Sequence, residues 1–158
     1  MFKKILGEHM RHWRVFILWI VLIAIGIFSY MEYSSAKLPV LRVKASGESI
    51  ATIQSSSCWK GLFSEKCVDK VYSSPYEMGR VYKSARVKPG DTIQIQFDKK
   101  SIKGTLAVEH WFNEKDSKPL KIKGNTWQAP EKPGEYIYYV DAKWKSGDVG
   151  YAFSVSVK

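Results

Sequence analysis

The stretch EYIYYVDAKWKSGDVGYAFSVSV, Glu135 to Val157, decides the fold class. Its apolar residues recur at every second position: Tyr136, Tyr138, Val140, Ala142 and Trp144, then Tyr151, Phe153, Val155 and Val157. Successive side chains of a strand point to opposite faces, so a period of two marks a strand with one face buried and the other wet. Between the two runs, Lys145 to Asp148 supplies turn residues around Ser146-Gly147, and the whole reads as an antiparallel hairpin.

The same alternation extends upstream. LRVKAS places Leu41, Val43 and Ala45 on one face, DTIQIQF does so with Ile93, Ile95 and Phe97, and TLAVEHWF with Leu106, Val108 and Phe112. Turn residues separate these runs at Ser46-Gly47, Pro89-Gly90-Asp91, Lys103-Gly104, Lys123-Gly124-Asn125 and Pro133-Gly134. No segment after Met31 carries a 3.6-residue stripe. The expected class is all-β: an immunoglobulin-like antiparallel β-sandwich of about seven strands over residues 41–158, with a small barrel as the alternative.

Ahead of this domain, VFILWIVLIAIGIFSYM, Val15 to Met31, runs without a formal charge. Extended to Trp13 and Tyr33, it has the length of a bilayer's hydrocarbon core, about 30 Å. The expectation is a short cytoplasmic tail (1–14), a transmembrane signal-anchor helix (15–33) and a linker (34–40). Lys3, Lys4, Arg11 and Arg14 crowd the N-terminal side, and positive flanks stay in the cytoplasm, so everything after the helix is expected outside the cell membrane. The alternative is a secretory signal cleaved after Ala36, where Ser34-Ser35-Ala36 offers small residues. An uncleaved anchor is preferred because the apolar run is longer than a signal peptide's usual ~7–15 residues. No cysteine follows the run closely enough for a lipid anchor.

APEKPGEYIYYVDAKWKSGDVGYAFSVSV, Ala129 to Val157, resembles the last two strands of bacterial immunoglobulin-like domains, in which Pro-Gly-x-Tyr leads into the penultimate strand. The resemblance implies a tyrosine corner at Tyr136, its hydroxyl returning to nearby backbone. SCWKGLFSEKCVDK, followed by SPYEMGRVYKSARVKPGDTIQIQF, is similar to small membrane-anchored extracytoplasmic proteins of Gram-positive bacilli. That group carries no assigned biochemical role, so the likeness implies a location and an architecture only.

The chain's two cysteines, Cys58 and Cys67, lie in SSSCWKGLFSEKC, Ser55 to Cys67. Outside a membrane the environment is oxidising, and the pair is expected to close a short disulfide ring worth somewhat under about 3 kcal/mol. Inside it, Trp59, Leu62 and Phe63 form either a contact patch for a partner protein or a lid over one end of the sandwich. A redox motif is absent, since there is no Cys-x-x-Cys.

Charge bears on partners. Four of the 25 Lys and Arg and one of the 15 Asp and Glu precede residue 15, which leaves a net +7 beyond it. Such a domain is drawn to anionic lipid headgroups or anionic wall polymers, unless the lysines only solubilise the sheets and guard their edges. Nucleic acid is excluded by the exported location and by the scatter of the basic residues. Trp111 has the opposite parity to Val108 and Phe112, which makes it the candidate for stacking on a glycan.

Catalytic and metal signatures are missing. His110 is the one histidine beyond the helix, and its neighbour Glu109 points to the other face of the strand. No Gly-x-Ser-x-Gly is present, and Glu114 with Asp116 lies in a polar turn. The reading is a membrane-anchored, extracytoplasmic, non-catalytic binding or accessory module without cofactor or metal, whose specific partner the sequence leaves open between an envelope protein and an anionic wall polymer. The alternatives are recognition of an anionic polymer or glycan through lysines and Trp111, and an envelope enzyme whose site is scattered through the fold.

Overall fold

A computed structural model describes residues 2–158, with side chains from residue 12 onward. The side chains of Lys3, Lys4 and Arg11, on which the expected orientation rests, lie outside the described residues.

Helix α1 (Phe2–Ala36) runs past both ends of the expected 15–33 span. Neither Gly7 nor Gly26 stops it, and the first proline, Pro39, biases Leu38 toward extended backbone and so sets its end. Residues 12–36 are long and apolar enough to cross a membrane, as an anchor or a signal sequence would.

Twelve strands follow: β1 (Leu41–Ala45), β2 (Glu48–Ile50), β3 (Ile53–Gln54), β4 (Ser57–Lys60), β5 (Glu65–Val68), β6 (Ala85–Val87), β7 (Thr92–Phe97), β8 (Ala107–Trp111), β9 (Ser117–Pro119), β10 (Thr126–Gln128), β11 (Gly134–Trp144) and β12 (Gly147–Val157). They form two packed sheets. The first has the order β10-β7-β1-β2; the second has the order β5-β4-β12-β11-β8-β9, with β3 and β6 also paired to β12. The sandwich expected from the alternation is the observed architecture, and its pairing is antiparallel except where β6 lies parallel to β12. The strand count exceeds seven because short pieces of two to five residues decorate the long hairpin.

Core residues come from the predicted faces. Leu41, Val43, Ala45, Ile93 and Ile95 of the first sheet meet Val108, Tyr138, Val140, Val149, Phe153 and Val155 of the second. Phe112 differs: it lies one residue past the end of β8 and is exposed. Elsewhere the expected wet face is covered. Ile137, Ala152 and Ser154, of opposite parity to the core set, are all buried, because the excursion between β5 and β6 folds over them.

That excursion contains a helix the periodicity does not reveal, α2 (Pro75–Gly79). Ser74 caps it by accepting from the Glu77 amide at 3.2 Å, and the Glu77 carboxylate accepts from the Ser73 amide at 2.7 Å. Ser-Pro-x-Glu is a capping signal with proline at the first helical position, so a five-residue helix forms without an amphipathic stripe. Met78 and Gly79 are its buried residues, and Gly79 lies so close to Ile137 that a Cβ there would collide with it.

The β11–β12 hairpin gives the molecule two ends. Gly147, opening β12, pairs with Trp59 of β4 near the end of α1, whereas Val157 pairs with Val87 of β6. Eleven residues at about 3.3 Å each separate those ends by roughly 33–36 Å. Gly147 has φ +149° and lies against the Cys58 carbonyl. An alanine there meets backbone in a conformation that L residues rarely adopt. Gly147→Ala is therefore expected to destabilise the fold by about 1–3 kcal/mol, as overpacking does, read as a lower midpoint in denaturant.

Candidate functional site

Cys58 and Cys67 are disulfide-bonded with their Cα atoms 4.0 Å apart, and they sit directly opposite each other in the β4–β5 hairpin. The ring is thus a strand pair with a tip at Gly61 to Ser64. The tip is joined to the end of α1. The Glu32 carboxylate accepts from the Leu62 amide at 2.9 Å, the Phe63 amide at 3.2 Å and the Ser64 hydroxyl. Trp59 Nε1 donates to the Ser35 carbonyl at 2.9 Å, and the Phe63 ring lies 4.9 Å from that of Phe28.

The three residues expected to share one patch therefore separate. Trp59 is buried at 3% exposure, packed edge-on against Trp144 with the Lys99 ammonium over its ring. Its burial at one end of the sandwich agrees with the lid alternative, and its indole N–H ties that lid to the last turn of the helix as a joint. Leu62 and Phe63 remain exposed at 52% and 72%. Leu62 is no lid. Lys99 completes the joint by donating to the Ser34 carbonyl at 3.1 Å and to that of Lys37. Those carbonyls belong to a helix C-terminus, where intrahelical donors have run out and a cation is favoured.

At the opposite end, beside the β6–β12 pairing, Arg80, Lys83, Arg86 and Lys158 border an open cleft of about 480 Å³. Glu135 is the one acidic side chain among its lining residues, and it accepts from the Ser84 hydroxyl. The basic residues are scattered along the chain, and the cluster is not evident from their order. The signal was the spacing of Arg80, Lys83 and Arg86; the fourth cation, Lys158, joins them only through the parallel pairing of β12 with β6.

Trp111 is half-buried rather than open, and its Nε1 donates to Glu109 at 2.9 Å. Glu109 shares its sheet face with Asp141. Burial, then Glu109, then Asp148 push the Asp141 carboxyl above the usual aspartate value. His110 lies on the core side among Phe112, Tyr136 and Tyr138, and burial lowers its pKa. The Tyr136 hydroxyl donates to the Lys132 carbonyl at 2.9 Å, a local return of the kind a tyrosine corner makes. Among the described residues no three His, Cys, Asp or Glu side chains are grouped to hold a metal ion.

No family model, no curated protein and no solved structure matches the chain.

Glu32→Ala removes the shared acceptor of the tip, so hydrogen exchange at the Leu62 and Phe63 amides is expected to quicken while the β11–β12 ladder stays protected. For Asp141, a raised folded pKa means that the folded chain binds the proton more tightly than the unfolded one. Its contribution favours folding at acid pH and is lost as pH rises through the folded pKa. Asp141→Asn is therefore expected to raise the melting temperature at neutral pH, with the gain vanishing as pH falls below the ordinary aspartate value of 3.8.

Proposed function

We propose that the chain is a single-pass membrane protein with its N-terminus in the cytoplasm and its sandwich outside, acting as a non-catalytic binding module for an anionic envelope polymer. The observation that carries this reading is the joint at the end of α1. Cleavage after Ala36 would remove Glu32, the acceptor for the hairpin tip, and Ser35, the acceptor for a buried tryptophan. A disposable signal has no reason to be built into the fold it delivers. The disulfide belongs to an oxidising compartment, which supports an outward-facing domain.

The ligand class follows from the far end. Arg80, Lys83, Arg86 and Lys158 face one acidic side chain across a cleft held roughly 30 Å from the helix end by the long hairpin. Guanidinium groups present flat, paired donors that suit phosphate or carboxylate oxygens repeated along a polymer. A protein partner at Leu62 and Phe63 is less well supported, because Phe63 lies against the membrane helix. Glycan stacking on Trp111 is disfavoured by its half-burial and its bond to Glu109.

Two measurements test the proposal. The intact mass of the protein extracted from membranes is expected to include residues 1–36; a mass beginning after Ala36 overturns the anchor. Binding to a poly(glycerol phosphate) chain is expected to weaken with salt and to fall several-fold in an Arg80→Glu, Arg86→Glu variant. A Lys44→Glu, Lys121→Glu control should keep its affinity. Equal loss in both variants would mean diffuse attraction to a basic surface without a cleft site.

A further inference from the structure

The tip of the disulfide hairpin is in an unusual place for an exposed aromatic. Phe63 is 72% exposed, yet its one ring neighbour is Phe28, which belongs to the apolar run of α1. Phe28 lies four residues before Glu32, so along the helix axis it is about 6 Å deeper than the carboxylate that holds the tip. A helix that spans a bilayer carries Phe28 below the headgroups, and Phe63 descends with it. About 5–10 Å is also the depth to which interfacial apolar faces sink at the headgroup and acyl boundary.

Beside the tip, on the same end of the sandwich, is a second feature. Lys99, Lys100 and Lys145 border a cleft of about 530 Å³ whose other walls include Ser35, Ile102 and Trp144, with no carboxylate among its lining residues. Lys99 is committed to the carbonyls of Ser34 and Lys37. Lys100 and Lys145 are exposed, and so is Ile102 at 46%. Ser35, in the last turn of the membrane helix, forms part of this wall, so the cleft opens where outer-leaflet headgroups must lie. An apolar wedge next to a cationic hollow is the chemistry that meets a phospholipid: acyl chain against Phe63 and Leu62, phosphate against the lysines.

We infer that this end of the domain is a membrane seat: Leu62 and Phe63 enter the outer leaflet beside Phe28, and the cleft of Lys100, Lys145 and Trp144 receives the headgroup of an anionic phospholipid. The inference rests on the reading of α1 as a membrane anchor and goes beyond it, because an anchor alone leaves the sandwich free to swing. The seat makes the membrane a second contact and holds the basic cleft of the far end away from it.

The test uses the full chain, isotope-labelled, in phospholipid nanodiscs carrying a nitroxide on the lipid acyl chain near the headgroup. The Leu62 and Phe63 amides are expected to lose intensity several-fold more than those of Gly47 and Gly90, which lie in turns at the far end. If the helix amides around Ile25 are attenuated while Leu62 and Phe63 match Gly47, the seat is overturned and the anchor stands. If the helix amides are unaffected as well, both fail. Replacing part of the phosphatidylcholine with phosphatidylglycerol is expected to shift the amides of Ile102 and Lys145, and a Lys100→Gln, Lys145→Gln variant to abolish the shift. Absence of a shift in the unaltered chain, or its reproduction by inorganic phosphate on phosphatidylcholine discs, overturns the headgroup site.

Discussion

Every other part of the second sheet depends on the eleven-residue ladder between β11 and β12. Register runs unbroken from Gly134 opposite Val157 to Trp144 opposite Gly147. Strands β3, β4 and β6 attach to successive parts of β12, β8 attaches to β11, and α2 packs across both. Short strands of two to four residues bury too little to hold themselves together, and they persist here because a long, twisted ribbon supplies their partner groups. One consequence is burial of both faces of the ribbon. A second is length, since a straight ladder of this size separates the two ends of the sandwich by more than a Debye length of roughly 8–10 Å.

At one end the ladder is fastened to α1. The aromatic series Trp59, Trp144, Phe97 and Tyr151 carries the connection from the hairpin into the core, each ring 4.9–6.1 Å from the next. The Tyr151 hydroxyl donates to the Pro39 carbonyl, and the Asp98 carboxylate accepts from the Val40 amide, so the segment after the helix is held from both sheets. Residues that read as a linker are thereby fixed. A linker would decouple the domain from the helix; here the bonds from Glu32 to Val40 tie the end of α1 to the sheets.

The alternation of Tyr136 to Trp144 and of Tyr151 to Val157 was legible in the sequence because the core face of a strand must be apolar whatever covers the other face. The apolar run of α1 and the cysteine pair were legible for the same reason: each is imposed by one local requirement. Burial of Ile137 and Ala152 was not legible, since apolar residues between apolar neighbours blur the period rather than announce a second layer. Helix α2 left its signal in Ser74-Pro75-Tyr76-Glu77, a capping pattern that a search for stripes passes over. Trp59 stayed open between a contact and a lid because its burial depends on Trp144 and Ser35, both distant in sequence. The basic cleft needed Lys158 brought beside Arg86, and the scatter of charge along the chain concealed it.

On the proposed reading, the separation of the ends resolves a conflict in the charge. A domain with a net +7 beyond its anchor, standing on an anionic membrane, would be pulled flat against it, and its polymer cleft would then be occupied by lipid. Screening confines each basic cluster to its own surroundings, so Lys100 and Lys145 meet headgroups while Arg80 and Arg86 remain a ladder's length away. The face of Glu109, Asp141 and Asp148 lies on the same ladder, where burial first and the neighbouring carboxylates second hold the Asp141 carboxyl above its ordinary value. The joint at Glu32 sets the direction, and the length of the ladder keeps the two basic clusters apart.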